Sequence, residues 1–151
     1  MSRLRLNELI GVVGGALLVL GVFLPWYQTD PSNKNAKLGE LGRGTFSCFE
    51  SHQIIRWLLI AAAVAPLILA YVIARDHSLS WARGEMTAVV SIIAFGLIVY
   101  VGIIQKPGSP PAGISLQYGY WVSLLGSILI AVGSARRSSG TERPRKPPGV
   151  L

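Results

Sequence analysis

The sequence predicts an all-α protein, a four-helix transmembrane bundle. Four windows contain none of the chain's 14 Lys/Arg and 7 Asp/Glu residues: Leu9–Thr29, Trp57–Ala74, Met86–Gln105 and Pro107–Ala135. Each window holds an apolar run of about 20 residues. A helix of that length crosses a hydrocarbon core about 30 Å thick. In the whole chain, 51% of residues are hydrophobic and the mean hydropathy is +0.50. We therefore expect an integral membrane protein with one membrane domain.

The apolar runs and the turn residues between them divide the chain into a membrane domain, residues 1–137, and a basic tail, residues 138–151. The helices are expected at about residues 7–25, 48–74, 85–104 and 117–137, with a long outer loop at 26–47. The first run lacks a small-x-small cleavage site, so we expect a retained span rather than a secretory signal. The tail combines proline, glycine and basic residues without an apolar period and is expected to be disordered.

The long loop and the start of the second helix carry local signals. Glycines at 39, 42 and 44 and several charged residues predict a solvated, pliant loop. A short strand could form in it, but no clear alternation supports one. Ser47 followed by Glu50 fits a capping box, so the second helix should begin near Cys48, ahead of the membrane. The following aromatic residues are expected at the membrane–water boundary: Trp26, Tyr27, Trp57, Tyr118, Tyr120 and Trp121.

The distribution of basic residues predicts the orientation. An even number of spans places both termini on one side, which with the loop after the second helix holds nine of the Lys/Arg residues. The other side holds five. The positive-inside rule then places both termini in the cytoplasm and the 26–47 loop outside. Because the charge of +7 follows this pattern rather than a folded basic surface, we expect no nucleic-acid partner.

Small residues recur at helical spacing in the first and fourth spans. Such residues let helix backbones approach closely in lipid. The predicted helix-contact residues are Gly11, Gly15, Gly119, Ser123, Ser127 and Ala131. Packing inside one bundle is the favoured interpretation, and a face for a dimer or a partner is the alternative.

The outer end of the second helix holds the polar residues that we expect to contact a partner: Glu50, His52 and Arg56. Glu50 paired with Arg56 or with Arg43 would form an ion pair. Cys48 and His52 lie four residues apart, but two ligands do not make a metal site. We therefore expect neither a metal nor a cofactor. The simplest interpretation of these residues is a polar helix end that packs on the outer loop.

The spans lack the groups that most membrane chemistry needs. Proton relays and ion pathways place an ionisable group within the membrane, and none lies inside these spans. A serine nucleophile needs a base, but no histidine falls in a span, and the single cysteine excludes dithiol exchange. We expect no catalytic residues and no enzyme activity.

Four short motifs carry a family resemblance: Phe23-Leu-Pro-Trp-Tyr, Thr45-Phe-Ser-Cys-Phe-Glu, Lys106-Pro-Gly and Tyr118-Gly-Tyr-Trp. With them the chain resembles small four-span membrane proteins of actinobacteria whose function is uncharacterised, over most of residues 7–137. The resemblance implies this topology and a bacterial plasma membrane. The layout is also similar to claudins and related tetraspan proteins, with Trp26 at their first loop tryptophan but without their paired cysteines.

These observations predict a non-enzymatic multi-pass protein of the plasma membrane, acting as an accessory subunit or scaffold. Its partners would be the lipid bilayer and either another membrane protein or further copies of itself. The alternative is an oligomeric transporter or pore, in which several copies line a path that one small bundle is unable to enclose. A third hypothesis is an enzyme that uses the outer cluster of Cys48, Glu50 and His52.

Overall fold

A computed structural model describes residues 6–75 and 85–139, and four of its helices are long and apolar enough to cross a membrane. They are α1 (Leu6–Phe23), α3 (Ile55–Ala74), α4 (Glu85–Val99), which continues into a π-helical turn (Tyr100–Ile104), and α5 (Tyr118–Ser139). One further helical turn, α2 (Cys48–Ser51), precedes α3. The predicted set of four span-length helices is thus confirmed, and the protein has the architecture of a multi-pass membrane protein.

The four long helices form a ring in which α1 and α4 each pack against both α3 and α5. The contact between α1 and α5 is the most extensive, and that between α3 and α4 the least. Glycines bring α1 and α5 together, because a Cβ atom on Gly14 would lie only 2.8 Å from the carbonyl oxygen of Gly126. Such close backbone approach is the geometry that small residues permit in lipid.

A small antiparallel sheet closes one end of the bundle. Its strands are β1 (Pro25–Thr29), β2 (Thr45–Ser47) and β3 (Ile114–Leu116), in the order β2-β1-β3. Tyr27 of β1 lies opposite Phe46 on one side and Leu116 on the other. We call residues 24–54 and 105–117, which contain the sheet, the cap. The short strand that the sequence left open in the long loop is therefore present as β2, and most of β1 also lies in that loop.

The cap has its own apolar core. Trp26 and Tyr27 are fully buried and Tyr120 is 1% exposed, whereas Trp57 and Trp121 remain 57% exposed. The Trp26 indole Nε1 donates to the carbonyl oxygen of Gly21 at 2.6 Å, which anchors β1 to the end of α1. Half of the aromatic residues expected at the membrane boundary are thus buried where the cap meets the bundle.

The two segments of the cap interlock through their backbones. Lys37 and Ser109 exchange two backbone hydrogen bonds, of 3.1 and 2.9 Å. Gly108 has a φ of +102°, and a Cβ there would lie 2.7 Å from the carbonyl oxygen of Lys37. Gly113 packs against Ala36 with equally little space. The long loop and the short connector therefore form one unit.

Several boundaries differ from the prediction. The first helix ends at Phe23 because Pro25 lacks the N–H that would continue it. The predicted second helix, residues 48–74, is two helices separated at 52–54. The last helix extends to Ser139, two residues into the predicted tail. The rest of that tail, 140–151, and the loop after the second span, 76–84, lie outside the described residues.

Candidate interaction surface at the sheet end of the bundle

The capping box predicted at Ser47 is present. The Glu50 backbone N–H donates to Ser47 Oγ at 3.3 Å, and the Ser47 backbone N–H donates to Glu50 Oε2 at 2.9 Å. The single turn of α2 then stops, because His52 adopts an extended backbone. The Glu50 side chain is exposed, as expected of a surface residue, yet its carboxylate is held by the cap of α2.

His52 is half-buried and joins three elements. Its Nε2 lies 3.0 Å from the Tyr27 hydroxyl, and that hydroxyl also donates to the carbonyl oxygen of Val101 at 3.2 Å. A phenol has one proton, so donation to Val101 leaves Nε2–H as the donor to the Tyr27 oxygen. His52 thereby connects the break between α2 and α3, strand β1 and the π-helical turn.

Burial shifts the pKa values of His52 and Tyr27 in opposite directions. Desolvation lowers the pKa of His52, which favours the neutral imidazole. Desolvation, with smaller contributions from Cys48 and Tyr120, raises the pKa of Tyr27 above its usual range. A neutral imidazole facing a neutral phenol is consistent with a structural contact. His52 is therefore less available to an outside partner than its sequence position suggested.

Arg56 lies in the first turn of α3 and packs between aromatic rings. Its guanidinium carbon is 4.4 Å from the centre of the Phe49 ring and 5.5 Å from that of Trp57. Nη1 donates to the carbonyl oxygen of Phe49 at 2.8 Å, whereas Nε is buried without a partner. Within residues 6–75 and 85–139, no ion pair joins Arg56 or Arg43 to Glu50. Arg43 instead donates to the carbonyl oxygen of Pro31.

Cys48 is fully buried beneath this surface. Burial raises the pKa of its thiol to about 12, against a smaller opposing effect of Arg56. A thiol that stays protonated at neutral pH is a poor nucleophile and a poor metal ligand. In the part of the chain that the structure describes, no three His, Cys, Asp or Glu side chains are grouped as a metal site requires.

Of the predicted helix-contact residues, Gly11 and Gly15 lie against other helices of the bundle, whereas Gly119 lies against the start of β1. A Cβ on Gly15 would lie 2.6 Å from the carbonyl oxygen of Ala63 in α3, and a Cβ on Gly119 would lie 2.5 Å from that of Pro25. Gly11 lies against Gly133. Ser123 and Ser127 are fully buried, and Ala131 is half-buried.

An apolar groove runs between α3 and α4, and sequence reasoning missed it. It has a volume of 290 Å³. Its lining residues all lie within the two spans: Leu58, Ala61, Ala62, Ala65, Val90, Ile93, Ala94 and Leu97. Alanines supply most of the α3 side, so the helices are separated by short side chains. The alanines at 61–63 and 65 are the sequence signal for this groove, but they do not form the extended four-residue repeat that marks α5.

Comparisons with protein families, curated proteins and solved structures found no match for this chain.

Proposed function

We propose that the protein is a non-enzymatic accessory subunit or scaffold of a plasma-membrane complex, and that the α3–α4 groove receives a transmembrane helix of its partner. The groove is the observation that carries this proposal. It is the place where the bundle leaves an apolar recess in its spanning part instead of filling it with its own side chains.

The chemistry of the groove suits a helix. Ala61 and Ala65 are one turn apart on α3, the small-xxx-small spacing that lets a second helix approach closely. The facing wall, from Val90 to Leu97, is apolar, so the occupant gains van der Waals contact without burying unpaired polar groups. The corresponding glycines of α1 and α5 are already in contact with other elements of the protein.

The cap provides a second contact surface in this proposal. We infer that both termini are cytoplasmic, since nine of the 14 Lys/Arg residues lie on their side of the predicted topology. The cap is then extracytoplasmic, with Glu50 exposed at its edge and Arg56 half-exposed beside it. A rigid sheet is better suited than a pliant loop to hold such residues in a fixed arrangement for a partner.

The histidine and the cysteine of this surface have structural roles, which supports a non-enzymatic function. His52 is bonded to Tyr27, and Cys48 is buried with a raised thiol pKa. Among the cavities that the described residues form between α3 and α4 and on the cap loop, none is lined by Cys48 or His52.

The test is co-purification of the full-length tagged protein in mild detergent, with mass spectrometry of what accompanies it. Ala65→Phe fills the groove with a large side chain and is expected to release the partner. Ile92→Phe is the matched control, because Ile92 is 63% exposed on α4 and does not line the groove.

A partner retained by Ile92→Phe and lost by Ala65→Phe supports the proposal. A partner that stays bound to both variants contradicts the docking site. A homo-oligomer that contains no foreign chain and conducts ions in liposomes contradicts the accessory role and favours the transporter or pore.

A further inference from the structure

We propose that Arg56 binds the phosphate of an anionic membrane phospholipid at the sheet end of the bundle. The site consists of the Arg56 guanidinium and the aromatic rings of Phe49, Trp57 and Phe23 around it. This proposal does not depend on a partner in the α3–α4 groove.

The position of Arg56 matches the depth of lipid headgroups. Arg56 is the second residue of α3, the helix whose 20 residues form the second candidate span. Trp57 beside it is 57% exposed, and Phe23, at the end of α1, is 55% exposed. Aromatic rings and arginine side chains at a span end lie at the membrane–water interface, where the phosphates are.

The hydrogen-bonding pattern leaves two nitrogens of the guanidinium without a bond in the described structure. Nη1 is used by the carbonyl oxygen of Phe49, whereas Nε is buried without a partner. Nη2 bonds to no atom of the described residues. Nε and Nη2 form the side-on fork that binds two oxygens of one phosphate or carboxylate. Because Nε is buried, a phosphate that binds Nη2 contacts Nε as well only after the Arg56 side chain moves.

The aromatic surroundings strengthen binding of an anion there. Phe49 lies under the guanidinium at 4.4 Å and itself stacks on Phe23, with ring centres 5.1 Å apart. The rings hold the cation in place and shield it from water, which increases its interaction with a charged oxygen. Their exposed faces present an apolar surface suited to the acyl chains beneath a bound headgroup.

Within the described residues, no carboxylate forms an ion pair with Arg56, whose bonded and stacked neighbours are Phe49 and Trp57. Glu50 accepts hydrogen bonds from Ser47, and Asp30 accepts them from Ser32. A carboxylate of a partner subunit would also fit the fork. The position of Arg56 at the end of a candidate span and the exposed rings beside it favour lipid, because headgroups lie next to a span end.

The experiment reconstitutes the full chain in liposomes and measures quenching of tryptophan fluorescence by brominated lipids. Brominated phosphatidylglycerol is compared with brominated phosphatidylcholine. The part due to Trp57 is obtained by comparison with Trp57→Phe. Trp121 is the matched reference, because it is equally exposed and no arginine stacks on it in the described structure.

We expect phosphatidylglycerol to be enriched about fivefold beside Trp57, the effect of one basic residue near an anionic surface, and not beside Trp121. Arg56→Gln should abolish this preference, and Arg56→Lys should retain part of it because a lysine keeps the charge but not the fork. Arg43→Gln, which removes a cap arginine bonded to Pro31, should leave it unchanged.

Equal quenching by the two lipids at Trp57 would overturn the proposal, and so would a preference that survives Arg56→Gln. Inorganic phosphate in the aqueous phase distinguishes a free anion from a lipid. Loss of the preference at moderate phosphate concentration would mean that the site takes the free ion. A co-purifying protein lost with Arg56→Gln, without any lipid preference, would assign the fork to a partner carboxylate. If Arg56→Gln fails to fold, the comparison of Trp57 with Trp121 in the unmodified protein still decides.

Discussion

Single glycines set the distance between α1 and α5. At Gly14 the nearest atoms are backbone atoms of Gly126 and Ile130, both 2.8 Å from where a Cβ would stand. Backbone atoms of a packed helix do not move aside as a flexible side chain does. A methyl group added at Gly14 would therefore push α1 and α5 apart over several residues rather than at one position.

We predict that Gly14→Ala lowers the free energy of unfolding by about 1–3 kcal/mol, the usual cost of overpacking. The thermal midpoint in detergent measures it. Gly96→Ala is the control, because no atom lies within 4 Å of a Cβ at Gly96 and alanine favours helix. An equal response of the two variants would show that α1 and α5 do not approach in this way.

The Tyr27–His52 pair makes the stability of the cap dependent on pH. Because burial lowers the pKa of His52, the folded protein favours the neutral ring and the unfolded chain binds the proton more readily. The contribution of neutral His52 to the free energy of unfolding is fully present above the pKa of the unfolded chain, about 6.5. It is lost as the pH falls from that value towards the lower pKa of the folded protein.

We predict that the thermal midpoint falls as the pH decreases from about 7.5 to about 5.5, and that His52→Gln reduces that fall. A glutamine amide keeps a donor for the Tyr27 hydroxyl but does not titrate in this range. His77 is retained in both proteins, so its titration cancels in the comparison. Identical pH profiles for the two proteins would argue against this assignment.

At the scale of elements, the sequence predicts the helices well but not the sheet. Each long helix is a continuous apolar run, and that signal is local. The strands have five, three and three residues, too few to show an alternation, and β1 pairs with β3 almost 90 residues away. Trp26 and Tyr27 also lie at the end of a span, where exposed aromatic residues are expected at the membrane–water interface. Only the tertiary structure shows that they are buried.

The interlocking of the two cap segments gives an element-scale prediction. Gly108→Ala combines an unfavourable positive φ with a close contact at the carbonyl oxygen of Lys37. We expect it to loosen the bridge between Lys37 and Ser109 and to destabilise the cap by about 1–3 kcal/mol. Faster amide hydrogen exchange at Lys37 and Ser109 would report this.

Gly42→Ala separates the two contributions, since Gly42 also has a positive φ, of +83°, but a Cβ there meets open space. It should raise exchange less than Gly108→Ala. If both variants accelerate exchange equally, backbone strain alone accounts for the effect and the close contact contributes nothing.

At the scale of the whole molecule, the bundle is unevenly packed. Its α1–α5 side is joined by glycine contacts, its sheet end is closed by the cap, and its α3–α4 side retains a groove. Only some of the contacts of the candidate surface could be predicted from the sequence. The capping box at Ser47 is a local pattern and was found, whereas the Tyr27–His52 bond and the Arg56 stack join distant or non-periodic positions.

The proposed roles of the groove, the cap and the headgroup site all depend on the membrane topology. They require that the four helices cross the membrane and that the cap lies outside. The most direct measurement labels single introduced cysteines in intact cells with a membrane-impermeant maleimide, at Ser2, Lys34, Ser78, Ser109 and Ser139. The unmodified protein is the control, since its Cys48 is buried. We predict labelling at Lys34 and Ser109 in intact cells, and at the other three only after lysis. Labelling of Ser2 or Ser78 in intact cells, or protection of Lys34, would contradict the account.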